Sequence, residues 1–213
     1  MLPAEASLRS CKDAEDAGVL GADLIAELRH RYAEPHRTVH TWDRVGDLLR
    51  MAEDVVNGIA SRSAFILAIL FHKAVFDPRS TDSPMRSAAL MRERAGMTFP
   101  ADTLDRAEAL VLTMARQEIP ETDDPSLRGD AALLLDFDRA VLGSDERRFA
   151  DYEAARRQEF AHLPTERYRI ARAAALQMLL WKDRIFLTDR FYLEREKRAR
   201  RNIEGAIAQL EAT

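Results

Sequence analysis

Apolar and polar residues follow one another along this chain with a helical period. Across residues 45–59 the apolar side chains recur every three or four positions, which is typical of a helix with one buried face. Single-residue alternation, the mark of a half-buried strand, is hard to find anywhere. The pattern therefore predicts an all-α protein. The predicted helices cover residues 20–32, 41–61, 64–71, 85–96, 102–118, 130–143, 145–163, 165–186 and 190–210.

One predicted helix differs from the others because it has no polar face. Residues 64–71 are apolar on every side, which predicts burial along the whole length of the helix. His72 and Lys73 follow where the apolar run stops, so a rigid core helix would hold them at its end. The simpler interpretation is a core helix that emerges into solvent. Apolar helical neighbours also predict core positions for Trp42 and Trp181.

Short polar residues and glycines mark several of the predicted helix ends. Asp102 and Asp130 precede apolar stripes and are predicted to be N-caps. Gly96 and Gly143 follow such stripes and are predicted to end their helices.

Composition narrows the class of protein. The length of 213 residues suits one domain, and we expect a loose N-terminal segment over residues 1–18 followed by a single compact helical domain over 19–213. A net charge of −4 gives no argument for nucleic acid as a partner. The basic residues at 195–201 are interleaved with glutamates, which favours a solvated helix face.

The cysteine content and the lengths of the apolar runs predict the cellular location. Cys11 is the only cysteine, so no internal disulfide is available and a reducing compartment is expected. The first residues do not show the cationic and then apolar order of a signal peptide. The longest apolar run is about eight residues, which is too short to span a bilayer. We therefore expect a cytoplasmic protein without a membrane partner.

Two groups of residues are candidates for chemistry before any relative is considered. His36, His40 and Arg44 are four residues apart, so they would share one face if their helix began early enough. A pair of histidines at this spacing is weak evidence for a metal, and exposed or capping histidines are commoner. Asp136 and Asp138 flank an apolar stripe on opposite sides, because two steps turn a helix by about 200°. Surface positions are the simpler interpretation for both.

Taken together, many short segments resemble the HD-domain superfamily, in particular its branch of predicted metal-dependent HD phosphohydrolases. The resemblance covers most of the chain from residue 34 onward and implies a helical domain with a site among the central helices. It rests on residues 34–37 (Glu-Pro-His-Arg), 39–41 (Val-His-Thr), Phe71-His72, 75–80 (Val-Phe-Asp-Pro-Arg-Ser), Ser87-Ala88, 135–138 (Leu-Asp-Phe-Asp), 140–143 (Ala-Val-Leu-Gly), Tyr152, 157–160 (Arg-Gln-Glu-Phe), Tyr168, Arg172, Glu196, Ala199-Arg200 and Asn202.

The resemblance also implies a chemistry that this chain does not carry over intact. The family holds one or two divalent metals with a His, a His-Asp pair and a later Asp, and the metals activate water against a phosphate ester. This chain matches at His72 and Asp138. Lys73 stands where the paired Asp is expected, and Arg44 and Arg116 stand where histidines are expected. An Asn-Glu pair that the family has before its Ser-Ala match is also absent.

These substitutions argue against a metal of the family type. Protonated Lys and Arg have no lone pair to offer a metal. At about 4 Å and an effective dielectric near 20, each unit-charge pair is worth about 4 kcal/mol, so exchanging a carboxylate for an ammonium beside a divalent ion costs on the order of 10 kcal/mol. Structural zinc sites bind with about that much in total. We therefore expect no resident metal or other cofactor.

The leading hypothesis is a divergent HD-superfamily protein whose cationic pocket binds an anionic or phosphorylated small molecule. A buried salt-bridge network that only maintains the fold is the structural alternative for the same residues. The candidate catalytic residues are His72, Asp138 and His40, and the candidate ligand-binding residues are Arg44, Lys73, Arg116, Asp136 and Arg37.

Three other functions stay open at the level of the sequence. One is a metal-dependent phosphohydrolase that uses His40, His72 and Asp138 in a rearranged site. Another is metal-free acid–base catalysis, with His72 or His40 as the general base. The third is a non-catalytic structural or interaction protein. The oligomeric state is open as well, with a homodimer as one alternative.

Overall fold

The computed structural model of the protein describes residues 20–212. The predicted loose segment 1–18 and Cys11 lie outside the described residues. Within 20–212 the chain forms α-helices and short 3₁₀ turns and no strand, so the prediction of an all-α protein is confirmed. The α-helices are α1 (Ala22–Tyr32), α2 (Trp42–Asp54), α3 (Arg62–Phe71), α4 (Ser83–Ala95), α5 (Ala101–Arg116), α6 (Pro125–Arg139), α7 (Glu146–Glu159), α8 (Thr165–Leu180) and α9 (Asp189–Ala212), and the 3₁₀ turns are Val56–Gly58 and Ala140–Gly143.

The chain groups into two compact units that meet within the sequence of α6. The first unit ends at Leu134 and the second begins at Leu135. The first therefore contains α1 to α5 and most of α6, and the second contains the end of α6 and α7 to α9. The expectation of one helical domain over 19–213 stays a prediction.

Helix α3 forms the core of the first unit. Every residue from Ala64 to Phe71 is at most 2% exposed, which confirms that this helix is buried on all sides. It packs against α2, α4 and α5. Because full burial of each large apolar side chain contributes roughly 1.5–3 kcal/mol, α3 is a rigid element to which the chain that follows it is attached.

Two predicted helices end six or seven residues earlier than their apolar patterns suggested. Helix α2 ends at Asp54 and not at residue 61, because Val55 has a φ of −129° and the following Val-Asn-Gly forms only a 3₁₀ turn. Helix α8 ends at Leu180 and not at residue 186. The amides of residues 185–188 bind the carboxylates of Glu196 and Asp136, so they are not available to continue a helix.

The N-cap predictions were wrong for Asp102 and Asp130. Helix α5 begins at Ala101, which places Asp102 inside the first turn. Helix α6 begins at Pro125, and its first turn is capped by Asp124, whose Oδ1 accepts from the amides of Ser126 at 2.8 Å and Leu127 at 3.2 Å. Asp130, six residues after Asp124, is therefore not needed as the N-cap of its own helix.

Asp130 instead binds the chain that leads into α3. It is 1% exposed, and its two oxygens accept from the amides of Ala60 at 2.8 Å and Ser61 at 3.1 Å. Those amides precede the first residue of α3, Arg62. The negative charge therefore lies near the positive end of the α3 dipole, where it stabilises the start of the central helix.

The core prediction was wrong for Trp181 and held only in part for Trp42. Trp181 follows the last residue of α8 and is 75% exposed. Trp42 is half-buried, with its ring edge-on to Tyr32 and beneath the guanidinium of Arg29.

Gly143 allows a close approach in the second unit. A Cβ added there would lie 2.7 Å from Cβ of Arg195 and 2.9 Å from its carbonyl oxygen, which is too close for any side chain. The glycine ends the 3₁₀ turn Ala140–Gly143 against α9, and α9 also packs along α8. The predicted stop at residue 143 is therefore present, and close packing is the reason for the residue type.

No helix in the described range combines the length and the apolar composition that crossing a membrane requires.

Candidate functional site

The candidate site is built on the short segment that follows α3. Tyr32, at the end of α1, reaches this segment with a side chain only 2% exposed. Its hydroxyl donates to the carbonyl oxygen of Leu70 at 3.1 Å and accepts from the amide of Lys73 at 3.3 Å. Burial raises the pKa of Tyr32 well above its usual range, so the hydroxyl keeps its proton and its donor role. The turn at residues 70–73 is thereby tied to α1.

Arg37 holds the next part of the segment. Its side chain has no exposed surface, and its Nη1 donates to the carbonyl oxygens of Lys73 at 2.7 Å and His40 at 3.4 Å. Its Nη2 donates to the carbonyl oxygen of Ala74 at 3.4 Å and to Oε2 of Glu34 at 2.9 Å, and its Nε donates to the same carboxylate at 3.0 Å. All five guanidinium N–H groups thus have acceptors within the protein. Arg37 clamps the 34–40 loop onto the chain after α3.

Two serines of α4 hold the same segment from another side. Ser87 is fully buried, and its hydroxyl accepts from the amide of Val75 and donates to the carbonyl oxygen of Val75, both at 3.0 Å. Ser83 accepts from the amide of Asp77 at 3.1 Å. Since three elements bind its backbone, the segment 72–77 has a defined conformation without being helical.

This conformation places four basic side chains around the ring of Phe76. The ring of His36 stacks on it with centroids 5.9 Å apart, and the ring of His40 lies at 4.6 Å. The guanidinium carbon of Arg37 is 5.3 Å from the ring centroid, and Nζ of Lys73 is 5.4 Å from it. We call His36, Arg37, His40 and Lys73 with Phe76 the Phe76 cluster. Cations favour the faces of aromatic rings, which accounts for the arrangement.

The histidines of this cluster come together by a route that helical spacing did not predict. Helix α2 begins at Trp42, so His36 and His40 precede it and share no helical face. They meet because the 34–40 loop folds over Phe76. His36 also donates from Nε2 to the carbonyl oxygen of Phe76 at 2.8 Å and lies 3.7 Å from the carboxylate of Glu34.

His72 adjoins the cluster and has a defined tautomer. The residue is the C-cap of α3, is 4% exposed, and its Nδ1 lies 2.7 Å from the carbonyl oxygen of Ile69. A carbonyl oxygen only accepts, so Nδ1 must carry the proton. In the neutral imidazole the lone pair is then on Nε2, the form that can act as a base.

Arg44 and Arg116, the other predicted cations of the first unit, are not among the residues of the Phe76 cluster. Arg44 is half-buried in the first turn of α2. Arg116 is exposed as the last residue of α5, followed by Gln117 at a positive φ of 59°. No hydrogen bond or ion pair joins Arg116 to another residue within 20–212. The convergence of Arg44, Lys73 and Arg116 on one pocket stays a prediction.

The two candidate aspartates belong to the second unit. Asp136 is fully buried, and its carboxylate accepts from the amides of Leu187 at 2.7 Å and Thr188 at 2.8 Å and from the Thr188 hydroxyl at 2.6 Å. Burial raises the pKa of Asp136, while these hydrogen bonds oppose the shift. Asp138 is half-buried next to Arg139, whose own pKa is lowered by burial. Asp136 is thus buried rather than at the surface, because it binds the loop between α8 and α9.

The donors present do not fit the metal centre that the resemblance implies. The residue after His72 is Lys73, whose ammonium has no lone pair to offer. Among residues 20–212, no group of three or more His, Cys, Asp or Glu side chains is arranged to hold a metal ion. The chemistry of the cluster is that of cationic and neutral donors, which suit an anion.

No family model, curated protein or solved structure matches this chain. The resemblance to the HD superfamily therefore stays a prediction.

Several residues that position the site were not among the candidates from the sequence. Tyr32, Phe76, Ser83 and Ser87 act through hydrogen bonds and ring contacts across 6 to 41 residues of chain. Of these four residues, only Phe76 and Ser87 could have been found from the sequence, since both lie in segments that resemble the HD family. His36 was noted for its spacing, yet the structure places it beside Phe76 for a different reason.

Proposed function

We propose that this chain is a divergent HD-superfamily protein without the usual metal centre, and that it binds an anionic or phosphorylated small molecule at the Phe76 cluster. The observation that carries the proposal is the placement of Lys73, His36 and His40 around one buried ring. Arg44 and Arg116 are further candidates for the same ligand.

The basic residues of the Phe76 cluster have different roles, and this difference supports the proposed function. Arg37 uses its five donors on the protein, so it positions the segment and contributes positive charge without facing a ligand. Lys73 and His40 are half-buried and His36 is exposed, so these three side chains are accessible from solvent. A half-buried ammonium about 4 Å from one phosphate charge gains about 4 kcal/mol at an effective dielectric near 20. A hydrogen bond from either imidazole would add to this attraction, and Nε2 of His36 already donates to the carbonyl oxygen of Phe76.

Rigidity is the second support. The backbone of residues 72–77 is bound by Tyr32, Arg37, Ser83 and Ser87, and it follows the fully buried α3. A site held in this way loses little conformational freedom when a ligand binds, which favours affinity for a small molecule.

The test is a thermal-shift titration of the whole chain with inorganic phosphate, pyrophosphate and nucleoside monophosphates. A ligand at 100 times its Kd stabilises the native state by about 2.7 kcal/mol, or a rise in Tm of roughly 5–10 °C for a chain of this size. We expect Lys73→Ala to abolish most of that rise. The matched control is Lys197→Ala on the exposed face of α9, which should leave it unchanged. No shift with any of these anions, or equal shifts in the two variants, would contradict the proposal.

The tautomer of His72 favours a second candidate function, which is metal-free acid–base catalysis on the same ligand. In the neutral imidazole Nε2 carries the lone pair that a general base needs, and the Nδ1 hydrogen bond fixes the ring. The test is phosphate release from nucleoside monophosphates with a chelator present. We expect turnover that the chelator does not affect and that His72→Gln abolishes. Turnover lost on chelation would instead support a metal-dependent phosphohydrolase, and no turnover would leave binding as the function.

A further inference from the structure

Helix α8 of the second unit carries apolar side chains on a face that no residue between 20 and 212 covers. Its other faces are occupied: Arg172 binds the carboxylate of Glu153 on α7, and Arg169 donates to the carbonyl oxygen of Leu210 on α9 at 2.6 Å. The remaining arc of about 140° is exposed. We call its apolar residues the α8 stripe, and they are Ile170, Ala171, Ala174, Ala175, Met178 and Trp181.

The large side chains of the α8 stripe are well exposed and lie close together along one helix. Ile170 and Met178 are each 62% exposed and Trp181 is 75% exposed, whereas single exposed apolar residues are normal on any surface. The stripe borders a shallow groove of about 440 Å³ between α8 and the end of α9, lined on one side by Leu210. A contiguous apolar surface of this kind marks an interaction site.

The order of residues along the stripe is symmetric about Ala174. Ile170 lies four residues before it and Met178 four residues after it, and Arg167 and Trp181 lie seven residues to either side. All of these positions fall on the exposed arc. If a second α8 crossed the first in the opposite direction at Ala174, Ile170 would meet Met178 and Arg167 would meet Trp181. The small side chains of Ala171 and Ala174 would let the helices approach closely.

We propose that the α8 stripe is a homodimer interface in which two copies of this chain pair their α8 helices antiparallel about Ala174. The occupant is a second copy because the stripe is complementary to itself. Each end brings an arginine guanidinium to an exposed indole, a favourable cation–π pair, and each half brings one large aliphatic side chain opposite another. No Asp or Glu interrupts the stripe, so like carboxylates do not oppose each other.

The area of the α8 stripe determines the affinity that we expect for the dimer. One helix from each copy buries less than the roughly 800 Å² per partner of a standard stable interface, so the dimer should dissociate on dilution. Sedimentation velocity of the whole chain between about 1 and 200 µM should therefore show a monomer–dimer equilibrium. A wild-type chain that stays monomeric over this range would overturn the proposal.

A variant at the axis tests where the dimer forms. Ala174→Glu places two carboxylates opposite each other, and we expect it to weaken association by at least about 100-fold. The matched control is Ala154→Glu on α7, an exposed alanine in a helix of the same unit, which should dimerise like the wild type. Circular dichroism of both variants shows whether the helices are retained. Equal dimerisation of the folded Ala174→Glu variant and the control would overturn the assignment.

Cysteine cross-linking tests the direction of the helices in a Cys11→Ser background. Two single variants, Ile170→Cys and Met178→Cys, are mixed and mildly oxidised. Antiparallel pairing predicts that disulfides form mainly between the two different variants, because each cysteine meets the other position. A parallel pair would give mainly disulfides between identical variants, and that result would overturn the proposed geometry. Ala154→Cys is the control for random collision.

Discussion

Arg37 allows the sharpest test of how the candidate site is held together. Substituting it by methionine keeps much of the volume and removes the guanidinium. The change removes a donor from the carbonyl oxygens of Lys73 and Ala74, and Ala74 is only 1% exposed. It also separates the 34–40 loop from the chain after α3.

The magnitude follows from the contacts. The 2.7 Å bond to the carbonyl oxygen of Lys73 is charge-assisted and partly buried, and the loss of such a bond costs about 1.5–3 kcal/mol. The longer bonds at 3.4 Å to His40 and Ala74 and the position of the guanidinium over the rings of Tyr32 and Phe76 add roughly 1–2 kcal/mol together. The pair with Glu34 adds less, because that carboxylate is 40% exposed. We therefore expect Arg37→Met to lower the free energy of unfolding by about 3–5 kcal/mol.

Urea denaturation followed by circular dichroism measures this change. The matched control is Arg116→Met, which makes the same substitution at an exposed arginine with no hydrogen bond or ion pair to a described residue. The control should stay within about 0.5 kcal/mol of the wild type. If Arg37→Met is no more destabilising than Arg116→Met, Arg37 does not clamp the site.

Two further predictions concern other parts of the fold. The hydroxyl of Ser126, together with nearby amides and an arginine, lowers the pKa of Asp124 from 3.8 to about 2. The stabilising contribution of this carboxylate is therefore complete above pH 4 and is lost as the pH falls toward 2. Asp124→Asn should make the urea midpoint of unfolding less dependent on pH between 4 and 2, and an unchanged dependence would refute this. Gly143→Ala should destabilise the protein by about 1–3 kcal/mol because the new methyl group meets the backbone and Cβ of Arg195. At Gly205 on α9 an added Cβ would have no described atom within 4 Å, so Gly205→Ala should be neutral or stabilising by up to about 1 kcal/mol. Equal melting temperatures of the Gly143→Ala and Gly205→Ala variants would contradict the packing argument.

The periodicity of apolar residues predicted most of the helices correctly, because a helix that buries one face must repeat its apolar residues every three to four positions. Burial of residues 64–71 on all sides followed from the same rule and is confirmed. Helix ends were predicted less well. Asp130 has the chemistry of an N-cap for its own helix, yet it binds amides about 70 residues earlier in the chain. Local rules could not distinguish these two uses of one carboxylate.

The sequence by itself determined the all-helical class, the buried helix α3 and the presence of His72 and Lys73 at its end, since each depends on neighbours only a few residues away. Only the tertiary structure decided that Tyr32, Arg37 and Ser87 bind the backbone after α3, that two histidines meet on Phe76, and that Trp181 lies exposed at the end of the α8 stripe. The reason is physical: a side-chain hydrogen bond or ring contact between residues about 40 apart leaves no periodic trace in the chain. It exists only after packed helices have brought its two ends within a few ångströms.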